Sequence, residues 1–375
     1  MDRRSTTKDL WEACEAGRVE DVIKLLQDPQ TIIDTSWSDP FFDSPFFIAC
    51  ARGHIDIVKI LLNDERIDVN KRESNGNRTP FYYACQEGNI EVVKLLLSDE
   101  RIDPNNCANN WRLTPFDIAC GKGHTEIVKL LLSDERIYQD INRPDNYNVT
   151  PFSVACENGY LEIAKLLNDK GADINIADAE GRTPFFLACF EEHIEIVKLL
   201  LNENRVDINK ANKYDETPFF IACREGHMEI LKLLLNDKRI DVNKAGNYGK
   251  TPFYVACDNG HLEIVKLLLK DERVDINKAN EYGSTPLFCA CMCGNIEVVE
   301  LLLACGRDIS LEDENGEEVI YFVEKAVIVD LLDSFERNPH ETRSKLRIQL
   351  GLAGKSFLCN INNYYILFVL NSILF

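Results

Sequence analysis

The dipeptide Thr-Pro, once Ser-Pro, recurs along this chain at a nearly fixed interval, and that period limits the fold more tightly than the chain length does. It stands at Ser44-Pro45, Thr79-Pro80, Thr114-Pro115, Thr150-Pro151, Thr183-Pro184, Thr217-Pro218, Thr251-Pro252 and Thr285-Pro286, in steps of 35, 35, 36, 33, 34, 34 and 34 residues. Each pair is followed by Ala-Cys, then in most copies by Gly-His or Gly-Asn, then by E-[IV]-[VAL]-K-L-L or a close variant. A chain of 375 residues would otherwise suggest two or three globular domains, because single cores stop growing at roughly 250–300 residues. A fixed period overrides that count.

Each copy has a physical grammar. Thr before Pro starts a helix: the hydroxyl caps a free backbone N–H, and Pro loses nothing at the first helical position. In the copy beginning at Thr217, a short apolar helix, FFIAC, follows and stops at Gly226. A second helix, HMEILKLLLN, carries apolar residues at Met228, Ile230, Leu231, Leu233, Leu234 and Leu235, with Glu229 and Lys232 three apart on its wet side. DKRIDVNKAGNYG then returns as an extended segment with turn residues Asn247 and Gly249. Two short helices and a turn cannot bury their apolar faces alone, but copies stacked on one another can. The pattern predicts an all-α solenoid in which each unit is a helix–turn–helix with a protruding β-turn or hairpin loop.

TPFFIACREGHMEILKLLLNDKRIDVN resembles an ankyrin repeat, whose unit carries T-P-L-H-x-A, a Gly-His, a leucine-rich second helix and a D-[VI]-N segment. The resemblance covers about residues 8–335 and implies a right-handed-type solenoid that binds other proteins. Two departures stand out. Only Lys170-Gly171-Ala172-Asp173 keeps the family's Gly-Ala-Asp helix ending; most other copies use D-E-R-[IV]-D or a variant one residue longer, so Asn or Asp must take the helix-ending role that Gly fills most easily. The family's histidine is replaced by Phe47, Tyr82, Asp117, Ser153, Phe186, Phe220, Tyr254 and Phe288, which puts aromatic packing where a polar link between repeats is expected. The expected organisation is a solenoid over 1–336, with an incomplete first unit at about 1–34, eight regular units at about 35–311 and a degenerate cap at about 312–336. A tail, 337–375, follows.

Sixty-two acidic against 42 basic side chains give a net charge of −20, which repels phosphate backbones and anionic membrane faces and favours basic protein partners. The N-terminal stretch has no apolar core of signal-peptide length, so the expectation is a cytoplasmic or nuclear chain. Of 14 cysteines, Cys14, Cys50, Cys85, Cys120, Cys156, Cys189, Cys223, Cys257 and Cys291 share one repeat position. Neighbouring members, roughly 8–10 Å apart, are too far for disulfides; they read as small buried hydrophobes in a reducing compartment. His54, His124, His193, His227 and His261 begin second helices where Asn89, Tyr160 and Asn295 stand in other copies. No ligand or general base is interchangeable in that way. Cys289, Cys291 and Cys293 have no second pair to complete a zinc site. No residue is therefore assigned to catalysis, a cofactor, a metal or a small-molecule substrate.

The variable positions carry the functional expectation. Three residues before Thr-Pro, at the loop tips, stand Phe41, Trp111, Tyr147, Tyr214, Tyr248 and Tyr282, with Gly76 and Glu180 as exceptions. Exposed aromatic rings suit a protein partner; the rival reading is that neighbouring tips pack on one another. Just before the helix-ending glycine the residue also changes: Arg52, Glu87, Lys122, Asn158, Phe190, Arg224, Glu225, Asp258 and Met292. In ankyrin arrays these face the concave groove, so the resemblance implies that they choose the ligand. The tail holds a short basic helix candidate, NPHETRSKLRIQLG, suited to dock on the solenoid or to reach another molecule. An uncharged stretch, 356–375, follows it. The reading is a non-enzymatic interaction scaffold; the alternative is a tail-anchored membrane adaptor inserting residues 356–375.

Overall fold

The computed structural model describes residues 3–28, 31, 44–73, 76–106, 112–138, 141–323 and 325–353. The apolar end of the tail, 356–375, and the tip residues Phe41 and Trp111 lie outside them. Among the described residues the chain is built of α-helices with two short 3-10 turns and no strand, an all-α repeat fold. It divides into two compact units, Met1–Val206 and Asp207–Phe375.

The first unit opens with helices Arg3–Glu15 and Val19–Gln27. With no Thr-Pro pair at Lys8-Asp9 to set its start, the opening helix runs several residues further back than its siblings would. Four helix pairs follow: Pro45–Arg52 with Ile55–Leu62, Pro80–Gln86 with Ile90–Leu97, Pro115–Gly121 with Thr125–Leu132, and Pro151–Glu157 with Leu161–Asp169. A fifth pair, Pro184–Phe190 with Ile194–Leu201, ends the unit. The second unit holds Pro218–Glu225 with Met228–Asn236, Pro252–Asp258 with Leu262–Leu268, and Pro286–Cys293 with Ile296–Ala304. It closes with a 3-10 turn, Val319–Phe322, and helices Ala326–Arg337 and Pro339–Gln349. Successive first helices pack more closely than successive second helices within each unit, so each stack bends with its first helices on the concave side.

The Thr-Pro grammar holds at every copy. The hydroxyls of Thr79, Thr150 and Thr217 accept the N–H groups of Tyr82, Ser153 and Phe220 at 3.1 Å, and each such cap contributes about 1 kcal/mol. Behind every Pro but the last a phenylalanine is buried (Phe46, Phe81, Phe116, Phe152 and Phe185 in the first unit, Phe219 and Phe253 in the second), with Leu287 in its place after Pro286, and burying such a ring contributes about 2–3 kcal/mol. The cysteine column lies in the same core as free thiols; burial pushes Cys14 up to about 12 and drives its siblings in the same direction.

The loss of the family histidine does not cost the stack its polar links. Those links run through three other side chains. First, the residue that begins a second helix reaches the preceding first helix: His54 Nε2 meets the Glu15 carbonyl at 3.0 Å, His124 that of Gln86 at 2.8 Å, and His193 that of Glu157 at 2.9 Å. Asn89 Nδ2 does the same work on the Cys50 and Ala51 carbonyls, which is why Asn replaces His freely. The approach is close enough to demand glycine beneath it, since a Cβ on Gly88 would sit 2.8 Å from the His124 ring.

Second, the Asn of D-[VI]-N bridges to the next copy. Asn209 Nδ2 donates to the Arg239 carbonyl at 2.7 Å, and its Oδ1 accepts the Asp241 N–H at 2.9 Å; Asn243 repeats this with Arg273 and Asp275.

Third, the D-E-R departure proves to be a clamp. Asp99 accepts both the backbone N–H and the Nε of Arg101, and the far Nη2 donates to the Leu62 carbonyl at the end of the preceding second helix, 2.8 Å away. Arg66, Arg136 and Arg273 do likewise to Leu26, Leu97 and Leu235. These helices end without a left-handed residue, on right-handed Asn63, Ser98 and Ser133, whereas Gly171 in the one Gly-Ala-Asp copy is left-handed at φ 84°. The added residue therefore does more than end a helix: it brings in an arginine that satisfies a neighbour's open carbonyl.

The basic tail segment is helical and docked. Arg343 Nε donates to the Leu303 carbonyl at 3.3 Å, Leu346 is buried, and Gln349 Nε2 donates to Glu300 Oε1 at 3.2 Å. Arg343 thus does for the last second helix what the D-E-R arginines do at Leu26, Leu62, Leu97 and Leu235.

Arg101→Ala is expected to lower stability by about 1–2 kcal/mol, the value of a charged hydrogen bond to an otherwise open carbonyl. Arg101→Lys should recover little of it, because one ammonium cannot hold both the carboxylate and the carbonyl; thermal melts of the three proteins check this. A second expectation concerns Asp117, which forms a capping box with Thr114: Thr114 N–H donates to Asp117 Oδ2 at 2.7 Å, and Thr114 Oγ1 accepts the Asp117 N–H at 3.1 Å. Burial raises its carboxyl to about 6, against the Thr114 bonds and Arg143 and together with Asp145. A raised folded-state value means that the folded form holds a proton the unfolded form has released, so this group's contribution falls as pH rises from about 4 to about 6. Asp117→Asn should be more stable than the parent at pH 7 by on the order of 1–3 kcal/mol, and the gap should close by pH 4 in melts run across that range.

Candidate protein-interaction surface

Several loop tips are shaped by an Asp or Asn whose side chain accepts two backbone N–H groups. In the first unit Asp145 Oδ1 takes those of Tyr147 and Val149, at 2.8 and 2.9 Å. In the second, Asn212 takes those of Tyr214 and Glu216, and Asn280 those of Tyr282 and Ser284. The turn then needs a left-handed residue, supplied by Asn148, Asp215 and Gly283. The tip from Gly246 lacks the shaping side chain. It closes instead as a 3-10 turn, Asn247–Gly249, with Tyr248 itself left-handed at φ 58°. A tyrosine in that region is strained by about 1–2 kcal/mol, which marks this tip as one where stability is not the governing demand.

Tyr147, Tyr214, Tyr248 and Tyr282 are between 48 and 69% exposed, so half of each ring faces outward. The tips are also tied to one another: the Tyr147 carbonyl accepts the Ala179 N–H, and that of Tyr248 accepts the Glu281 N–H. The Tyr248 and Tyr282 ring centroids are 6.1 Å apart, and Lys213 Nζ lies 5.0 Å over the Tyr214 ring. Backbone bonds fix the column, and the tyrosine rings remain half open upon it.

The second set of expected residues gathers at the C-terminal ends of the first helices, on the concave side of each stack. In the first unit Arg52 pairs with Glu15 at 3.0 Å, and Glu87 accepts from Gln86 at 2.7 Å. Lys122 and Asn158 are exposed. Phe190 is half-buried and stacks on Phe186, with centroids 6.5 Å apart. Beside it Glu157 has its carboxyl raised by burial and by the neighbouring carboxylates of Glu191 and Asp178, against Arg182. Glu192 occupies the left-handed position that its siblings give to glycine, at φ 59°.

In the second unit Arg224 bridges Glu216 and Glu225, and Lys250 holds Asp258 at 2.7 Å. The residue before Thr-Pro thus pairs with the one seven places after that Thr, in a recurring ion pair that single-copy reading missed. It was legible as a charge swap: Glu216 with Arg224, Lys250 with Asp258. The third member of the series, Ser284 with Met292, has no charge, and Met292 is exposed. Also missed were Tyr321 and Phe322, exposed in the 3-10 turn Val319–Phe322. Their signal was an aromatic pair where a Thr-Pro helix should stand.

Among the described residues no group of His, Cys, Asp and Glu is arranged to hold a metal ion. Cys289 and Cys291 are buried; Cys293 is exposed and its thiol donates to Asp258 Oδ1 at 3.2 Å, a contact that with burial raises it rather than activating it. Among the described residues no helix is long and apolar enough to cross a membrane.

A comparison with curated proteins found no match. A three-copy model of ankyrin repeats matches residues 10–108, 101–178, 170–246 and 240–313. Those spans cover most of the chain and fall on the helix pairs whose Thr-Pro caps, glycine turns and Asn bridges are described above. The chain belongs to the ankyrin-repeat family.

Proposed function

We propose that the protein is a non-enzymatic scaffold that captures partner proteins on the concave first-helix ends and on the aromatic loop tips of its repeats. Ankyrin repeats mediate protein–protein interaction, and the finer assignment rests on one observation: tyrosines at successive tips are held half-exposed by backbone bonds that do not need the rings. Tyr supplies large contact area with a polar handle and little entropy to lose. The surplus of acidic side chains favours partners with basic faces and speeds their encounter. The buried, unpaired thiols of the cysteine column suit a reducing compartment, the cytoplasm or nucleus.

Tyr248 allows the structural and the binding roles to be separated, because they predict opposite signs. Replacing it with Asn, which tolerates the left-handed region, should hold or raise the melting temperature by relieving strain. The same change, combined with Tyr214→Ala and Tyr282→Ala, should reduce partner capture about tenfold or more. The measurement is affinity purification with quantitative mass spectrometry beside thermal melts of the same proteins. A melting temperature that drops while the captured set stays unchanged would show that the rings serve only to pack the tips.

A further inference from the structure

The concave ion pairs stop at the C-terminal end of the second unit. Glu216 holds Arg224 and Lys250 holds Asp258, but at the next copy Ser284 faces the apolar Met292, which is 53% exposed. One helical turn before Met292, on the same face of the helix Pro286–Cys293, stands Phe288, whose ring centroid lies 5.3 Å from that of Phe322. Phe322 belongs to the 3-10 turn that replaces the first helix of the last copy, and its neighbour Tyr321 is 79% exposed. Phe288, Met292, Tyr321 and Phe322 therefore leave apolar surface open where the two preceding copies of this unit have a first helix and an ion pair. Monomeric proteins seldom leave such surface without use.

Its border is of one sign. Glu312, Asp313, Glu314, Glu317 and Glu318 fall within seven consecutive residues that contain no basic side chain, and they lead directly into the turn that carries Tyr321. Glu314 N–H donates to the Gly283 carbonyl at 3.0 Å, which sets this acidic tip against the one bearing Tyr282. Among the described residues Glu312, Glu314, Glu317 and Glu318 make no ion pair, whereas most second helices pair a carboxylate of their own with a lysine, as Glu229 does with Lys232 and Glu263 with Lys266. An apolar floor with an uncompensated acidic rim is complementary to a segment that carries bulky apolar anchors between lysines or arginines.

We infer that the C-terminal end of the concave face, floored by Phe288, Met292, Tyr321 and Phe322 and rimmed by the 312–318 carboxylates, seats a basic amphipathic segment of a partner protein. The inference rests on the scaffold reading above and narrows it to one surface and one chemistry. The aromatic and Met side chains take the partner's apolar anchors, and the glutamates hold its cations at the rim, where the attraction is screened by salt.

The test uses the full chain with a synthetic amphipathic Lys/Leu helix as probe and its Glu/Leu isomer as control, followed by fluorescence anisotropy. The Lys/Leu probe should bind, lose affinity as NaCl rises, and weaken about tenfold with Met292→Ser plus Tyr321→Ser. Glu314→Lys plus Glu317→Lys should weaken it and flatten the salt dependence. Ile23→Ser, an exposed apolar position in the first unit with no assigned binding role, should change nothing. All five substituted positions are at the surface, and unchanged melts establish that the fold is intact. Tyr321→p-benzoylphenylalanine should cross-link to the probe. Equal binding by the Glu/Leu isomer, or undiminished binding by the Met292/Tyr321 variant, overturns the inference. So does cross-linking of position 321 to residues 354–375 or to a second copy in the probe's presence, because either occupant would already fill the surface. If the probe fails while the tip variants still alter the captured partner set, this inference falls and the scaffold reading stands.

Discussion

The open carbonyls at the end of each second helix are the constraint on which the stacking depends. A helix of two turns leaves its last carbonyls without intrahelical partners, and here second helices of seven to nine residues stand in every regular copy. The D-E-R arginine of the next copy answers this, held in place by an aspartate two residues before it. Asp64, Asp99, Asp134, Asp237 and Asp271 are kept below the usual carboxylate range, first of all by that arginine's side-chain hydrogen bonds. Such copies satisfy their predecessors, as at Leu26, Leu62, Leu97 and Leu235, and the last regular copy is satisfied by Arg343 from an added helix. Termination and propagation use the same bond. That is how the second unit closes after its repeats lose their pattern.

Because the recurring polar letters are taken up by this linkage, little of the surface chemistry is left to them. Histidine and asparagine at the second-helix starts bond backbone carbonyls, the D-[VI]-N asparagines bridge copies, and the aspartates of D-E-R hold arginines. Most second helices cancel charge through carboxylate–lysine pairs three residues apart, and the concave ion pairs cancel theirs. The imbalance of 62 acidic over 42 basic residues must then reside where no such pairing repeats, and the 312–318 segment is one such place. A net charge this large does not follow from the architecture. It is carried by residues that the architecture leaves unconstrained.

The repeat, its caps and its core were legible because each is local: Thr-Pro, Gly and the apolar spacing act within a dozen residues. The polar links were not, since each joins residues 30 to 40 apart in sequence, as Asn209 and Arg239 or Arg101 and Leu62 show. Reading D-E-R as a substitute helix ending caught its position but not its partner, which sits one copy upstream. Loss of the family histidine likewise suggested a missing polar bond. Tyr254, in that column, in fact accepts from Asn280 Nδ2 at 3.2 Å and donates to Ser284 Oγ at 3.3 Å. The candidate surface was half legible. Tip tyrosines and helix-end residues could be found as the variable letters of a constant frame, but pairing between the residue before Thr and the helix end required both columns to be read together.

The places where local rules break fall on that same surface. Gly246 removes a side chain that the other tips use, and Tyr248 takes a backbone conformation costly for an aromatic residue. Glu192 stands left-handed where its siblings have glycine. The last copy gives up its first helix, leaving Tyr321 and Phe322 in a 3-10 turn. None of these departures helps the stack, whose linkage runs through the second helices and the D-[VI]-N segments and tolerates them for that reason. In a repeat array, neighbours hold a copy in place even when its own tip or first helix is poorly formed. The array can thus carry strain and exposed apolar surface at its concave side and tips without losing its register, which leaves those positions free to be shaped by what they bind.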